Sequence, residues 1–593
     1  MKHLVLLLLM MTLLCPCAVQ AAGSQYDFSF TERELSGEWK AKNAVTITGK
    51  GNTCKVSGKG VTLDGTILTI TTEGVYVLTG EFLDMMIVIS AADKDKVQLV
   101  LDGATLISSN GPVLYAENAD KLFITAVKGT ENRLVDGDDY SVSDGDTVMD
   151  ACIFSRVDLC LNGDGSFLVQ GNYKHGIVSK DDLIIANTTL TVEAASTALE
   201  GKDCLMMTGV NANITAGSNG LRSDNDTDEG RGFIYIKDST LTINAGGDGI
   251  QAETLLRADN ATMTITTGNG SSNAATRSEW DSWGGSRSQS NSDSGSWKAL
   301  KAKGDIEVNG GTYVIDSKDD ALHANHNLAI TGGQFTLTSG DDGIHADNEL
   351  LISGGDITIT KSYEGIEASK LTLAGGRMDI IASDDGLNAA GGADGSAAAD
   401  RWGRGMFSNG VGEIIISGGY IHINAGGDGI DSNNTILISG GVTLVSGSPS
   451  SMNAAFDYDG EATVTGGVLI AVGGSGMAQS FTAAENQGCM LFGLNGGPAG
   501  RNLAIVDADG TIVASYTPVN SYSSVVVTAP GIQVGNTYTV VLDAVIDAVD
   551  DRGYASDVPY SGGTALGSIE MTTVLQGGSG HSMGGGGNRR PGK

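Results

Sequence analysis

The sequence predicts an all-β fold, a right-handed parallel β-helix of about 22 residues per coil with β-rich caps at both ends. Three observations predict it: an acidic element repeated every 22 residues or so, a Gly pair with the same period, and alternating apolar residues after each pair. Gly makes up 86 of 593 residues and Pro only 8, which suits many tight turns between short strands. Nothing in the sequence indicates a long helix.

The repeated element reads Asp-Asp-Gly-Ile-His-Ala at 341–346. Its apolar anchors follow one another at distances of 22, 22, 22 and 21 residues: Leu300, Leu322, Ile344, Ile366 and Leu387. A single unit cannot bury its apolar face, but a stack of units can. We therefore expect equivalent residues of successive units to lie directly above one another, about 4.8 Å apart.

Each unit is predicted to hold three short strands, for example 312–316, 321–325 and 328–331, with Gly332 and Gly333 turning the chain into the next unit. A nonapeptide calcium β-roll is an alternative, because residues 426–431 match the start of that motif. That match occurs once per unit instead of every nine residues, which favours the β-helix.

The pattern divides the chain into five parts. We predict a signal peptide at 1–21, an N-terminal β cap or first coils at 22–149, the β-helix at 150–485, a C-terminal β cap at 486–575 and a disordered Gly-rich tail at 576–593. The signal rests on a basic start at Lys2, an apolar run too short to span a bilayer and small residues near Ala21. A lipoprotein signal through Cys15 or Cys17 is the alternative. The predicted location is secreted or extracellular, with cell-surface association possible.

Composition limits the partners. Asp and Glu number 70 and Lys and Arg 36, giving a net charge of −34. That field repels nucleic acid and anionic membranes, so we expect neither as a partner, nor membrane insertion, and we expect a monomer. The five Cys residues beyond the signal match no zinc pattern, and buried apolar thiols are the preferred interpretation.

Paired acids in the repeated turns indicate calcium. Stacking in register would place like charges about 4.8 Å apart, at a repulsive cost of about 3.5 kcal/mol per pair at an effective dielectric of 20. Ca²⁺ takes oxygen ligands at about 2.3–2.6 Å, so one ion spans two such oxygens. Turn capping by Asp is the alternative. The candidate ligands are Asp319, Asp320, Asp341, Asp342, Glu364, Asp384 and Asp385.

A second acidic cluster, Asp224, Asp226 and Asp228, has the spacing of an EF-hand start. The position that should be Gly is Glu229, and no acid stands at the twelfth position. A local ion site and a solvated loop are both open.

Polar residues between the inward anchors form a ladder that is predicted to face outward and to hydrogen-bond sugar hydroxyls. Its candidate sugar ligands are His323, His345 and Glu367. Trp residues in polar insertions could stack on pyranose rings or could anchor the loops: Trp280, Trp283, Trp297 and Trp402. Ordinary wet surface is the alternative for the ladder.

At this point the chain resembles the calcium-containing bacterial carbohydrate-binding β-helix proteins, which bind cellulose and pectin-type acidic sugars and are similar in fold to polysaccharide lyases. The resemblance rests on the signal, on 74–80, 97–103 and 132–137, on the Asp-Asp-Gly-Ile units and on 538–540. It implies an extracellular binding protein with several calcium ions and no established cleavage activity. The unit of Leu300 departs from the pattern, with Ser296, Trp297 and Lys298 where acids would stand, which argues against a calcium site in that unit.

Three hypotheses for the function follow. The first is a secreted, calcium-dependent protein that binds plant cell-wall or other extracellular polysaccharide. The second is a pectate-lyase-like enzyme, in which calcium acidifies the proton beside a uronate carboxylate and a basic side chain removes it. Its candidate bases are Lys301, Lys318 and Lys361. The third is a structural or adhesive surface protein.

Overall fold

The structure is a computed structural model that describes residues 25–140, 148–274, 295–389 and 412–577. Nearly all of the regular structure is β. Among the described residues, the exceptions are one short helix, Glu32–Leu35, and one 3-10 turn, Ser271–Asn273. The predicted signal at 1–21 and the tail from 578 onward lie outside the described residues. Within the described ranges, no helix has the length and apolar character needed to cross a membrane.

The strands fall into three parallel ladders, in which each strand pairs with its equivalents in the preceding and following repeats. The first ladder contains the repeated acidic element and its apolar anchors. Its strands are Ile67–Ile70, Met86–Ser90, Leu114–Asn118, Ala151–Ser155, His175–Ser179, Leu199–Gly201, Leu221–Ser223, Ile250–Ala252, Leu300–Ala302, Leu322–Ala324, Ile344–Ile352, Ile366–Leu373, Leu387–Ala389, Ile430–Ser432 and Asp457–Tyr458.

The second ladder lies next along the chain. It consists of Lys96–Ile107, Lys121–Ala126, Asp158–Asn162, Asp182–Ala186, Cys204–Thr208, Phe233–Lys237, Leu255–Thr267, Asp305–Ser317, Leu328–Ser339, the ends of Ile344–Ile352 and Ile366–Leu373, and then Glu413–Ile416, Thr435–Ile438, Ala462–Val464 and Ala483–Ala484.

The third ladder completes each repeat. It consists of Val45–Gly51, Gly74–Leu83, the end of Lys96–Ile107, Glu131–Val135, Ser166–Gly171, Thr189–Ala194, Asn211–Ala216, Thr240–Ala245, the ends of Leu255–Thr267, Asp305–Ser317 and Leu328–Ser339, and then Asp356–Lys361, Arg377–Ala382, Tyr420–Ala425, Val442–Ser446 and Val468–Gly473.

The prediction of a right-handed parallel β-helix is wrong, because the hydrogen-bonded strands form a closed circuit. Lys96–Ile107 and Leu255–Thr267 each pair in both the second and the third ladder. The strands between them complete a closed parallel β-barrel of twelve strands, and further strands lie outside it. The sequence led us to expect separate short strands joined by turns in every repeat.

The physical reason is that a bent strand replaces an expected turn. Leu255–Thr267 runs on through Asn260, whose φ of 53° lies in the left-handed region that Asn tolerates. Further along, Asp305–Ser317 continues through Gly310 and Gly311, where the Gly pair predicted a break. The predicted strand 312–316 is therefore only the second half of a longer one, and 328–331 is the start of Leu328–Ser339.

The predicted register, by contrast, is confirmed residue for residue. Leu300 pairs with Leu322, Leu322 with Ile344, and Ile344 with Ile366. These side chains are no more than 1% exposed and belong to one apolar cluster that runs from Ile47 to Val526. Burial of each Leu or Ile contributes about 1.5–3 kcal/mol, so the stack stabilises the fold through every repeat.

Antiparallel strands close the two ends. At the start, Cys54–Ser57 pairs with Val45–Gly51, and Val61–Asp64 with Ile67–Ile70. At the other end, Tyr522–Thr528 pairs with Val468–Gly473 and with Cys489–Gly497, which also contacts Leu575–Gln576. A separate five-stranded sheet contains Leu503–Val506, Thr511–Tyr516, Thr537–Leu542, Val558–Pro559 and Thr564–Glu570.

Stacked aromatic rings offer a test of this core. Phe335 is buried, and its ring lies 4.7 Å from that of Tyr313 in the preceding repeat, at an interplanar angle of 10°. We expect Phe335→Ala to lower the free energy of unfolding by about 3–5 kcal/mol, because it removes a buried ring and leaves a cavity. Chemical denaturation measures the change. Thr336→Ala, at the exposed next position, is the control and should change stability little; equal losses would contradict the packing described here.

Candidate functional site

The repeated acids have a structural role, because they hydrogen-bond the turns of successive repeats to one another. In several repeats, the Oδ1 atom of one turn residue accepts the backbone N–H of its equivalent in the next repeat. Asp342 N donates to Asp320 Oδ1 at 3.0 Å, and Asp428 N donates to Asp385 Oδ1 at 2.6 Å. Lys298 N donates to Asp248 Oδ1 at 2.8 Å. One oxygen of each carboxylate therefore accepts a hydrogen bond from the backbone of the next turn, and the other oxygen remains available to side chains or ions.

A lysine already neutralises the first group of predicted calcium ligands. The ligand oxygens of Asp319, Asp320 and Asp341 lie within 4.8 Å of one another. The buried Lys298 places its Nζ 2.8 Å from Asp319 Oδ2 and 3.1 Å from Asp320 Oδ2. Burial alone would raise the pKa of Asp320, but Lys298 and His323 hold that pKa well below its usual value. An ammonium group thus stands where a cation was expected.

The next repeats hold a buried cluster of mixed charge, formed by Asp342, His345 and Glu367. His345 Nδ1 lies 3.2 Å from Asp342 Oδ2 and 2.9 Å from Glu367 Oε2. Although burial alone would lower the pKa of His345, these carboxylates raise it well above its usual value, so the imidazolium neutralises part of the cluster. Burial raises the pKa of Asp342 to about 7, assisted by repulsion from Asp320 and Glu367. Burial also raises the pKa of Glu364 in the adjoining turn, with Glu367 adding repulsion.

A third cluster has no cation among the described residues. Ligand oxygens of Asp385, Asp428 and Asp431 lie within 4.8 Å of one another. Burial is the largest cause that raises the pKa of Asp385, and repulsion from Asp384 adds to it. Burial likewise raises the pKa values of Asp428 and Asp431 to about 7 each. Within the described ranges no Lys, Arg or His forms an ion pair with these three carboxylates, so they are the acids that most need an added cation.

The predicted cluster of Asp224, Asp226 and Asp228 does not assemble around one point. Asp224 Oδ2 accepts from Arg222 at 2.7 Å, and Asp226 is exposed. The loop is organised by the buried Asn225, which donates to Asp228 Oδ2 at 2.9 Å and accepts the backbone N–H of Asp228 at 3.1 Å. An amide thus fills the centre of this loop in the way an ion would have done.

The polar ladder is continuous in register, but it is buried in the middle. Its members pair in the order Glu200, Arg222, Gln251, Lys301, His323, His345, Glu367, Asn388, Asp431 and Asp457. His323 and His345 are 0% exposed and Glu367 is 8% exposed, whereas Lys301 and Asp431 are partly exposed. The expectation that this strip faces water throughout is wrong, and the three predicted sugar ligands lie below the surface.

A groove opens beside the part of this ladder that contains Gln251 and Lys301. It has a volume of about 390 Å³. Its polar and aromatic lining residues are Ser218, Asn219, Asp248, Gln251, Ser296, Trp297 and Lys301, with Gly217, Gly246, Gly247 and Gly295 around them. Trp297 is therefore placed beside hydrogen-bonding groups, as predicted, while Trp280, Trp283 and Trp402 lie outside the described residues.

The polar groups of the groove are held in fixed positions by one another. Asn219 Nδ2 donates to Gln251 Oε1 at 2.6 Å, and Asn219 Oδ1 accepts the backbone N–H of Asp248 at 3.1 Å. Lys301 Nζ donates to Ser296 Oγ at 2.9 Å and lies 3.4 Å from Asp248 Oδ2. The arrangement presents an amide, a carboxylate and an ammonium along one wall, which is suited to hydroxyl and carboxylate groups of a sugar.

The three predicted lyase bases are each engaged. Lys301 takes part in the network just described, and Lys318 places its Nζ 3.5 Å from the centre of the Trp297 ring. Lys361 Nζ donates to the carbonyl oxygen of Ser271 at 2.8 Å. The contact of Lys318 with one face of Trp297 also supports the alternative that this Trp anchors its loop, since the cation fixes the ring against the turn.

Sequence reasoning missed the groups that fill or complete the clusters. Lys298 appeared only as a departure from the repeat, and Asp248 was not considered. Asp428 and Asp431 lie in the stretch 426–431 but are not among the predicted calcium ligands. In the structure, Asp431 continues the ladder after an insertion, and Asp457 follows it in register.

Comparisons with known proteins show that the chain is similar to carbohydrate-binding domain-containing proteins. A family model described as carbohydrate-binding domain-containing protein matches residues 64–343 and 341–539. A carbohydrate-binding domain-containing protein of Acetivibrio thermocellus is 30% identical over 200 residues, which span 34% of this chain and 70% of that protein. A solved structure of a polysaccharide lyase-like protein from C. thermocellum, a gadolinium derivative, is 24% identical with a TM-score of 0.38 and covers 45% of this chain and 96% of its own.

Carboxylates with raised pKa values make stability depend on pH. Asp342, Asp428 and Asp431 have pKa values of about 7 in the folded protein, above the ordinary value of 3.8. The folded state therefore binds more protons than the unfolded state between about pH 4 and 7, and stability falls as the pH rises through that window. We expect Asp431→Asn to make stability fall less steeply as the pH rises. The unfolding midpoint in metal-free buffer from pH 4 to 8 measures this. The exposed Asp509→Asn is the control; parallel curves for all three proteins would contradict the assignment.

Proposed function

We propose that this chain, which belongs to the family of carbohydrate-binding domain-containing proteins, binds an extracellular polysaccharide in a calcium-dependent manner. The ligand classes proposed are pectin-type acidic glycans and cellulose, as found in plant cell walls. The observation that carries this proposal is the groove in which Trp297 adjoins Asn219, Gln251 and Lys301.

The groove has the parts that sugar recognition needs. An indole ring offers an apolar face to the C–H groups of a pyranose, and fixed amides and carboxylates pair its hydroxyls. Because Asn219, Gln251 and Asp248 already bond to one another, little conformational entropy is lost when a ligand binds. Preorganised polar groups beside an aromatic ring favour a sugar over a purely apolar ligand.

The ladder around the groove also favours an acidic sugar. Arg222, Gln251 and Lys301 follow one another in register and are partly exposed. After Glu200, Arg222 and Lys301 add two positive charges to this part of the ladder, whereas Asp431 and Asp457 form its acidic end. In a protein with a net charge of −34, a local pair of cations is the feature that would hold a uronate carboxylate.

Calcium is proposed at Asp385, Asp428 and Asp431. The donor set fits a hard cation, because it is made of carboxylate oxygens within 4.8 Å of one another. Its raised pKa values reflect negative charge without a described counter-cation. Bound calcium would supply positive charge there, while these residues position the turns and hold the ladder in register. The first group is a poorer fit, because Lys298 already neutralises it.

Secretion is part of the same proposal. The basic start, the apolar run and the small residues near Ala21 have the order of a secretory signal. An extracellular location would bring the protein to a cell-wall polysaccharide and to millimolar calcium, the range in which weak extracellular sites operate.

Replacing the ring tests the groove. We expect Trp297→Ala to weaken binding of oligogalacturonate or cello-oligosaccharide at least about tenfold, equivalent to about 1.4 kcal/mol, because the stacking surface is lost. Isothermal titration with both oligosaccharides measures the effect and separates the two ligand classes. Tyr173→Ala is the matched control, since Tyr173 is 39% exposed and stacks on Tyr140 away from the groove lining.

Unchanged affinity in Trp297→Ala, or equal loss in both variants, would refute the groove as the binding site. The same samples should show no rise in the ultraviolet absorbance of unsaturated uronates. A rise that is lost with Lys301→Ala would instead support the lyase hypothesis.

Calcium binding has its own test. We expect the pair Asp428→Asn and Asp431→Asn to remove one class of calcium site from the chelator-treated protein, because two of three proposed ligands lose their charge. Calcium titration with thermal unfolding measures this, since an ion at 100 times its Kd stabilises the folded state by about 2.7 kcal/mol. Asp509→Asn serves as control, and an identical calcium response in all proteins would contradict the site.

A further inference from the structure

Two histidines from neighbouring repeats stack in the middle of the polar ladder. His323 and His345 are paired in register on Leu322–Ala324 and Ile344–Ile352. Their ring centres lie 4.6 Å apart at an interplanar angle of 7°, and both side chains are completely buried. Two imidazoles are thus held face to face without access to bulk water.

One nitrogen of this pair lacks a partner. His323 Nε2 is buried and makes no hydrogen bond within the described part of the chain. An unsatisfied buried polar group destabilises the folded state, so a fold rarely keeps one without a compensating use. His323 also contributes one ring nitrogen to a group of three potential ligand atoms that lie within 4.8 Å of one another, the others coming from His345 and Asp347.

Carboxylates hold the far side of both rings. His323 Nδ1 lies 2.6 Å from Asp320 Oδ2, and His345 Nδ1 lies 2.9 Å from Glu367 Oε2. In metal centres, a ligating histidine nearly always bonds through its other ring nitrogen to a carboxylate or carbonyl, which fixes the tautomer and the direction of the ligating nitrogen. Both histidines of this pair have that support at Nδ1. Among the described residues, His323 Nε2 then has no partner, and His345 Nε2 faces the carboxylate of Asp347.

The third ligand stands at the edge of the site. Asp347 Oδ1 lies 2.9 Å from His345 Nε2, and its Oδ2 accepts from Asn325 at 3.2 Å. Asp347 is partly exposed, unlike the two rings, so it borders the route by which an ion would enter. Two imidazole nitrogens and one carboxylate are the donors of zinc and related ions, whereas calcium takes oxygen ligands.

We propose that His323 Nε2, His345 Nε2 and Asp347 form a binding site for a divalent transition-metal ion of the Zn²⁺ type, separate from any calcium site. The ion satisfies the orphan nitrogen of His323 and replaces the proton that His345 shares with Asp347. It joins two successive repeats at the centre of the ladder, with a further coordination position for water or for a carboxylate of a bound ligand.

The test uses the full chain after treatment with a chelator. We expect one equivalent of Zn²⁺ to bind, and excess Ca²⁺ not to displace it. Asp347→Asn and His323→Gln should weaken zinc binding more than tenfold, measured by isothermal titration with Zn²⁺ alone. Asp320→Asn, which alters the support of His323 but none of the proposed ligands, should weaken it by about 10–100-fold. His326→Ala is the matched control: this exposed histidine pairs with Asp305 and should leave zinc binding unchanged.

X-ray absorption at the zinc edge keeps the proposal testable if a variant fails to fold. The unmodified protein should show two imidazole nitrogens among the ligands of the bound zinc. An all-oxygen shell, the absence of zinc binding, or an equal loss in His326→Ala would overturn the proposal. Each of these results is independent of glycan binding by the groove and of calcium binding at Asp385, Asp428 and Asp431.

Discussion

Vertical stacking of equivalent residues is the constraint on which the rest of this structure depends. Parallel pairing places a residue about 4.8 Å from its counterpart one repeat away. For Leu300, Leu322 and Ile344 this builds a continuous apolar interior. For the acids of the turns, the same spacing creates repulsion that every repeat must relieve in some way.

The protein relieves that repulsion differently along its length. Backbone N–H groups of the following repeat take one oxygen of Asp320 and of Asp385. Lys298 neutralises the acids of one turn, and His345 those of the next. Further on, Asp385, Asp428 and Asp431 have no described cation. This gradient from internal counter-charge to uncompensated acid is the basis for proposing calcium at one end of the ladder and a nitrogen-binding metal in its middle.

The closed barrel and the groove are linked by one long strand, Leu255–Thr267. Leu255–Thr267 ends next to the turn that carries Trp297, since Thr267 Oγ1 donates to the Trp297 carbonyl oxygen. The barrel therefore fixes one wall of the groove, and the ladder of Gln251 and Lys301 fixes the other. Rigid walls are the requirement for a binding site that acts by preorganised polar groups, as proposed for this groove.

The sequence by itself determined the β class, the 22-residue spacing and which residues stack, because apolar anchors such as Leu322 and Ile344 repeat with a fixed period. It also marked the turn acids and Trp297 as candidates. Only the tertiary structure decided that Leu255–Thr267 bends through Asn260 and closes a barrel, because a left-handed Asn and a turn have the same local signature. Only the tertiary structure decided that His323 and His345 are buried and that Lys298 reaches the acids of the next repeat, because burial and ion pairing depend on neighbours far away in sequence.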